Sequence, residues 1–133
     1  MKKARLDMAS VCVIGSGARE LAAARALRAS PKCGTVRCFG AEPNPAIAEE
    51  CGAVEVGDEA SPDAVLAFCK RCKADLVLVT SPVALAAGVV DALQGGGIRA
   101  VGARQAAAAV AKPDFARGLM KQARVRFLSY RDE

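Results

Sequence analysis

A glycine turn between an apolar strand pattern and a helical pattern is the feature that most restricts the fold of this chain. Residues 10–14 form a short apolar run, and Gly15-Ser16-Gly17 follows it directly. Residues 18–29 then carry apolar side chains at helical spacing. The order of strand, tight turn and helix is typical of the first half of a βαβ unit, whose strands run parallel.

The same alternation of strand and helix patterns continues along the chain. We predict further strands at residues 35–39, 53–56, 76–79 and 98–101, and further helices at 46–50, 62–73, 83–93, 106–111 and 114–122. Such alternation predicts an α/β fold with a doubly wound, mainly parallel, Rossmann-like sheet of about five strands. We expect a basic N-terminal extension at residues 1–9, one domain at 10–125 and a C-terminal tail at 126–133.

Composition supports a single packed domain built from small side chains. The chain has 133 residues, of which 53% are hydrophobic and only 4% aromatic. That length is typical of one domain, and the apolar content excludes a disordered chain. The core should therefore consist mainly of closely packed aliphatic residues.

The charge balance favours anionic partners. Nineteen basic residues oppose fourteen acidic ones, which gives a net charge of +5 and a pI near 9.1. The basic residues are densest in the last part of the chain, where we expect contacts with other protein subunits in preference to nucleic acid. The candidate contact residues are Lys112, Arg117, Lys121, Arg124, Arg126 and Arg131.

Several classes of function are disfavoured by what the sequence lacks. The chain has no histidine, which is the commonest general base and metal ligand near neutral pH. No apolar run is long enough to span a bilayer, and the first ten residues contain no secretory apolar region. We expect a reducing intracellular compartment, either the mitochondrial matrix or the cytoplasm.

The glycine turn is a candidate phosphate site. Glycines at a helix N-terminus allow a phosphate to approach free backbone N–H groups and the positive end of the helix dipole. The third glycine of the dinucleotide fingerprint is missing, and Glu42 stands further along than the usual ribose-binding acid. A tight turn that binds nothing stays open as an alternative, and so does a stand-alone nucleotide-binding module.

Six cysteines raise the question of metal or redox chemistry. Cys69 and Cys72 have CxxC spacing, but they fall in the last turn of a predicted helix instead of at its start. We therefore expect reduced core thiols and no metal site.

The segment Val13-Ile-Gly-Ser-Gly-Ala-Arg-Glu20 resembles the opening of phosphoribosylamine–glycine ligases, which carry G-x-G-G-R-E-H after their first strand. Further similar segments follow in the same order, among them Pro43-Asn-Pro-Ala-Ile47 and Asp75-Leu-Val-Leu-Val79. The resemblance covers about residues 11–130 and corresponds to the family's Rossmann-like domain that precedes the ATP-grasp domain. It implies that a phosphoribosyl phosphate is held at the glycine turn. The implied ligand-binding residues are Gly15, Ser16, Gly17, Arg19, Glu20 and Asn44.

The chain departs from the family pattern at the ligand-binding loops. Ala18 and Leu21 replace a glycine and a histidine, and Thr80-Ser81-Pro82 replaces a G-P-E turn, so that turn's carboxylate is missing. The resemblance also implies that ATP and magnesium are bound by a following ATP-grasp domain, so we expect this chain alone to have no cofactor, no catalytic residue and no ligase activity. Our first hypothesis is a repurposed, non-catalytic accessory subunit of a larger assembly. The alternative is the substrate-binding domain of a ligase in purine biosynthesis.

Overall fold

The computed structural model of the protein describes residues 8–51 and 54–126. Within these residues the strands are β1 Ala9–Ile14, β2 Cys33–Gly40, β3 Val54–Val56, β4 Leu76–Val79 and β5 Ala100–Val101. The helices are α1 Ala18–Ala29, α2 Pro45–Cys51, α3 Pro62–Arg71, α4 Pro82–Ala86, α5 Val89–Gly95, α6 Gln105–Ala108 and α7 Pro113–Gln122, with a 3-10 helix at Ala109–Ala111.

The strands form one parallel sheet in the order β3-β2-β1-β4-β5. This arrangement confirms the predicted doubly wound, Rossmann-like fold. The chain moves outward from β1 to β3 on one side and then returns to place β4 on the other side of β1. Loops leaving neighbouring strands diverge at such a reversal, and a crevice opens at the carboxyl ends of the strands. Here that crevice lies between the ends of β1 and β4.

Burial on both faces of the sheet explains why β1 has no alternation of polar and apolar residues. Cys12 and Ile14 pack into one core layer with α3, β4 and α5, whereas Val13 packs into the opposite layer with α1 and α2. All three side chains are fully buried. A central strand of a parallel sheet is covered on both faces, so a continuous apolar run is the expected pattern.

The predicted single helix at residues 83–93 is wrong. The structure has two short helices there, α4 and α5, because Gly88 adopts a φ of +84° between them. Only glycine enters this left-handed region at low cost, so the apolar periodicity continues across a break in the helix. The segment at 106–111 likewise divides into α6 and the 3-10 helix.

The structure describes only part of the predicted extension and tail. Strand β1 begins at Ala9, one residue inside the predicted extension. The remaining residues of the extension and of the tail, 1–7 and 127–133, lie outside the described residues, and the division into extension, domain and tail stays a prediction. None of the helices in the described ranges is long and apolar enough to cross a membrane.

Gly40 allows the ends of β1 and β2 to come into close contact. A Cβ atom on Gly40 would lie 2.6 Å from the Ser16 Cβ and 2.8 Å from the Gly15 carbonyl carbon. Both distances are shorter than any normal contact between these atoms. The glycine turn after β1 therefore rests directly on the backbone at the end of β2.

We predict that Gly40→Ala destabilises the domain by about 1–3 kcal/mol, because the added methyl group must displace backbone that has no room to move. Gly95→Ala is the matched control, since nothing lies within 4 Å of a Cβ atom at that position. The control should leave the protein unchanged or stabilise it by about 0.4–1 kcal/mol. Urea unfolding of both variants checks this, and equal unfolding midpoints would contradict the close contact.

Candidate functional site

The glycine turn takes its shape from one backbone conformation and one buried side chain. Gly15 has a φ of +129°, and a Cβ atom there would lie 2.6 Å from the Glu20 Cδ. The lack of a side chain at Gly15 therefore makes room for the Glu20 carboxylate beneath the turn. Gly17 is the N-cap of α1.

Glu20 binds two parts of the fold together. It is only 5% exposed, its Oε2 accepts a hydrogen bond of 2.7 Å from the Gly17 N–H, and its Oε1 accepts one from the Thr80 hydroxyl. Both carboxylate oxygens are thus used inside the protein. The structure places this predicted ligand-binding residue under the loop, where it joins the turn after β1 to the end of β4.

Asn44 has a similar supporting position. Its Nδ2 donates to the Ser16 carbonyl at 2.8 Å, and its Oδ1 accepts from the N–H groups of Ala46 and Ile47 at the start of α2. The side chain therefore caps α2 and fixes Ser16 at the same time. Its predicted place beside the glycine turn is correct, and its hydrogen bonds are those of a residue that positions the loop.

A cleft of about 350 Å³ lies at the carboxyl ends of β1 and β4. It brings together five residues of the predicted set, Gly15, Ser16, Gly17, Arg19 and Glu20, whereas Asn44 and the exposed Glu42 are not among its lining residues. The residues that line it are Gly15–Glu20, Glu59 and Ser81–Val83. The cleft is therefore built from three loops that meet at the reversal of strand order.

The wall formed by α1 can bind an anion. The first N–H groups of a helix have no acceptor within the helix. Glu20 takes the Gly17 N–H, and no hydrogen bond within the described ranges reaches the N–H of Ala18 or Arg19. The Arg19 side chain is exposed and forms no ion pair with any described residue. Two backbone donors and one guanidinium thus remain available at the positive end of α1.

A larger depression, of about 560 Å³, lies at the other end of the sheet. Arg28, Arg37 and Glu50 line it together with the first residues of β2 and the thiols of Cys33 and Cys51. Ligands of doubly wound sheets bind at the carboxyl ends of the strands, and this depression lies at the amino end of β2. We therefore place the functional site at the smaller cleft.

The cysteines behave as core side chains. Cys12, Cys38 and Cys69 are buried, and Cys33, Cys51 and Cys72 are partly buried. A hydrogen bond with Cys69 and burial raise the pKa of the Cys12 thiol far above its usual range, and burial raises the pKa of Cys38 to about 12. Thiols that stay protonated are poor nucleophiles and poor metal ligands.

The rest of the thiol geometry agrees with that interpretation. Cys72 is the C-cap of α3, as expected for a CxxC pair at the end of a helix. Among the described residues no group of three or more acidic, histidine or cysteine side chains is placed to hold a metal ion.

The predicted contact residues lie on α7 or close to its ends in the sequence, far along the chain from the residues of the cleft. Lys112, Lys121, Arg124 and Arg126 are exposed, and Arg117 is partly buried with its guanidinium 3.8 Å from Asp114. Arg131 lies outside the described residues. Helix α7 buries none of its residues, and Phe115, Leu119 and Met120 on it are exposed apolar side chains.

The loop at 80–83 was expected to line the crevice, and Ser81 does line it, whereas sequence reasoning missed Glu59. Ser81 caps α4 by accepting from the Ala84 N–H, and its hydroxyl donates to the Glu59 Oε1 at 3.0 Å. An available signal was the position of Glu59 in the loop after β3, three residues beyond the end of the strand. Loops that follow parallel strands lie at the same edge of the sheet as the glycine turn.

We predict that Glu20→Ala destabilises the protein by about 1–3 kcal/mol, because the Gly17 N–H and the Thr80 hydroxyl both lose their acceptor. Glu20→Gln keeps one acceptor of the same size and should lose less. Glu49→Ala removes an exposed carboxylate that has no hydrogen bond within the described part of the chain, and it serves as the control. Denaturant unfolding measures the free energy of unfolding of all three variants. Equal losses of stability for Glu20→Ala and Glu49→Ala would contradict a stabilising role of the hydrogen bonds by which Glu20 joins the ends of β1 and β4.

The sequence and this geometry match a known family. Residues 9–111 match the family described as phosphoribosylglycinamide synthetase, N domain. The chain is 34% identical over 113 residues to the phosphoribosylamine–glycine ligase of Methanocaldococcus jannaschii, an alignment that covers 84% of this chain and 25% of that protein.

Two bacterial relatives carry the same name. The phosphoribosylamine–glycine ligase of Brucella melitensis is 40% identical over 98 residues, which cover 74% of this chain and 22% of the relative. That of Rhodopirellula baltica is 34% identical over 123 residues, which cover 92% and 28%. The chain spans about a quarter of the length of these relatives. With the parallel sheet and the glycine turn in the expected order, the chain belongs to the phosphoribosylglycinamide synthetase N-domain family.

Proposed function

We propose that this chain acts as the N-terminal domain of a phosphoribosylamine–glycine ligase in purine biosynthesis and that its cleft binds the phosphate of a phosphoribosyl substrate. Family membership supports the first part of the proposal. The second part rests on Arg19, an unpaired guanidinium at the N-terminal end of α1 that lines the cleft. Our first hypothesis from the sequence, a non-catalytic accessory role, becomes the second candidate.

The residues of the cleft divide into those that contact the ligand and those that hold the loop. In this proposal the phosphate oxygens accept hydrogen bonds from the Ala18 and Arg19 N–H groups and from the Arg19 side chain. Charge-assisted hydrogen bonds of this kind are stronger than neutral ones. Glu20 and Asn44 keep the donors in place through their bonds to Gly17 and Ser16, so the loop does not have to be ordered when the ligand binds.

The resemblance to the ligases of this family implies that ATP and magnesium are bound by a following ATP-grasp domain. The described residues include no group of carboxylates arranged to hold a metal ion, and Glu20 already uses both of its oxygens. In this proposal the domain binds and orients the phosphorylated ribose.

Replacement of Arg19 tests the proposal. We expect Arg19→Ala to weaken the binding of ribose 5-phosphate by about 1.5–3 kcal/mol, because a charge-assisted hydrogen bond is lost. This corresponds to a roughly 10- to 150-fold higher Kd. Isothermal titration calorimetry, or NMR titration if the affinity is low, measures the difference.

Arg99→Ala is the matched control for this experiment. Arg99 is also exposed and forms no ion pair with a described residue, but it lies before β5 and does not line the cleft. Its replacement changes the net charge equally and should leave the Kd unchanged. Failure of the unmodified protein to bind ribose 5-phosphate, or equal losses in both variants, would contradict the proposed site.

The second candidate function is that of an accessory subunit that docks through α7. The specific observation is the exposed apolar set Phe115, Leu119 and Met120 on a helix in which no residue is fully buried. Positions 112–126 carry five basic residues and one acidic residue. Charge complementarity therefore favours a protein partner with an apolar groove bordered by carboxylates.

Native mass spectrometry of the complex from gently lysed cells tests the accessory role. We expect a fixed set of other chains and a mass far above 13.7 kDa. Replacing Arg124, Arg126 and Arg131 with glutamate should release the chain without unfolding it, whereas the control pair Lys32→Glu and Arg99→Glu should not. A wild-type chain without other subunits, or a triple variant that stays in the complex, would exclude this function. A mitochondrial or cytoplasmic location remains a prediction.

A further inference from the structure

We propose that the protein has a second ligand site, a basic depression beside α3 that binds a chain of phosphate groups. This α3 depression, whose charged lining residues are Arg37, Glu55, Arg71 and Lys73, has a volume of about 350 Å³. It lies between β2, β3 and the C-terminal end of α3. Within the described ranges, none of its lining residues also lines the cleft at the glycine turn. The inference therefore does not depend on the proposed function.

The charges that line the α3 depression do not balance. Arg71 donates to the Glu55 Oε1, so these two charges largely neutralise each other. Arg37 and Lys73 are exposed and form no ion pair with any described residue. The negative end of the α3 dipole amounts to only about half a unit charge. Two positive charges thus outweigh it, and the α3 depression favours an anion.

The alternation of side chains along β2 places Arg37 on the α3 face of the sheet. The next residue, Cys38, packs into the layer with α1 and α2, and successive side chains of a strand lie on opposite faces. Arg37 also pairs in register with Cys12, which packs into the layer that contains α3. The Arg37 side chain therefore extends on the same side of the sheet as the end of α3.

Lys73 occupies a backbone position that favours glycine. It follows Cys72, the C-cap of α3, and has a φ of +50°. The N–H groups of Lys73 and Ala74 donate to the carbonyls of Lys70 and Cys69, an arrangement that most often has glycine at the position of Lys73. A side chain in this left-handed conformation costs free energy that glycine would not. A positive charge at the α3 depression is a contribution that glycine could not make.

The lining favours phosphate groups over an aromatic base. Phe68 is only 3% exposed, the Phe39 ring lies 5.1 Å from it, and the Arg71 guanidinium carbon lies 6.0 Å from its centre. Protein side chains therefore cover this ring, and a base cannot stack on it. Arg37 and Lys73 come from different elements, so a ligand with several anionic groups can contact both. Inorganic polyphosphates and nucleoside triphosphates share a phosphate chain of this kind.

Calorimetric titration with inorganic triphosphate tests the site. The chain carries Arg19→Ala throughout, which removes the arginine of the cleft. We expect Arg37→Gln to raise the Kd about 10-fold, because a charge-assisted hydrogen bond is lost. Arg99→Gln makes the same change at a residue that lines neither site and should leave the Kd unchanged. If the Arg19→Ala chain does not bind triphosphate, or if both variants lose affinity equally, the inference is wrong.

Replacement of Lys73 by glycine separates binding from stability. We expect Lys73→Gly to raise the Kd for triphosphate about 10-fold, since one cation is lost. The unfolding midpoint should stay the same or rise, because glycine accepts the left-handed backbone. Arg124→Gly is the matched control, because Arg124 has a φ of +55° and does not line the α3 depression. A folded Lys73→Gly protein that binds triphosphate as tightly as its parent would overturn the inference.

Two further titrations separate the possible ligands and the two proposals. Uridine triphosphate should bind the Arg19→Ala chain about as tightly as inorganic triphosphate, since the site contacts the phosphate chain alone. Much tighter binding of the nucleotide would contradict the assignment to the phosphate chain. The Arg37→Gln change on the wild-type chain should leave the Kd for ribose 5-phosphate unchanged, because Arg19 is still in place. Loss of triphosphate binding alone would therefore leave the proposed function intact.

Discussion

The carboxylate of Glu20 is the interaction on which the rest of the site depends. It accepts hydrogen bonds from the turn that leaves β1 and from the hydroxyl that follows β4, two neighbouring strands whose connections pass to opposite faces of the sheet. A buried carboxylate is stable only when its oxygens are paired, and here both are. Gly15 has no Cβ because the space is filled by Glu20, so the glycine and the acid depend on each other.

This mutual dependence gives the glycines of the turn a structural role. Glycines after a first strand usually suggest close approach of a phosphate to the backbone. In this protein Gly15 is required by the internal carboxylate, and Gly40 is required by the contact between the ends of β1 and β2. The anion-binding capacity rests on the N–H groups of Ala18 and Arg19 and on the Arg19 side chain. The glycines shape the loop, and the N–H donors of the proposed anion site belong to the two residues after them.

The fold could be predicted because the central strands of the parallel sheet carry continuous apolar runs, at Val11–Ile14 in β1 and at Leu76–Val79 in β4. The break at Gly88 could not, because apolar side chains keep helical spacing on both sides of it while the backbone alone changes direction. In the site, Arg19 was identified from its motif. Glu59 was not, although its position in the loop after β3 was a signal, and its hydrogen bond with Ser81, 22 residues away, could not be read from the local sequence.

The buried thiols make local unfolding of the domain measurable by cysteine modification. Cys12 and Cys69 lie in the layer that covers one face of the sheet, and Cys38 lies in the layer on the other face. Because these thiols are buried, an alkylating reagent can reach them only when the layer above them separates from the sheet. The rate of modification at each cysteine then measures how often the layer that covers one face of the sheet opens. Equal modification rates on the two faces would mean that both layers separate from the sheet in one cooperative event. Different rates would show which layer of helices separates more often.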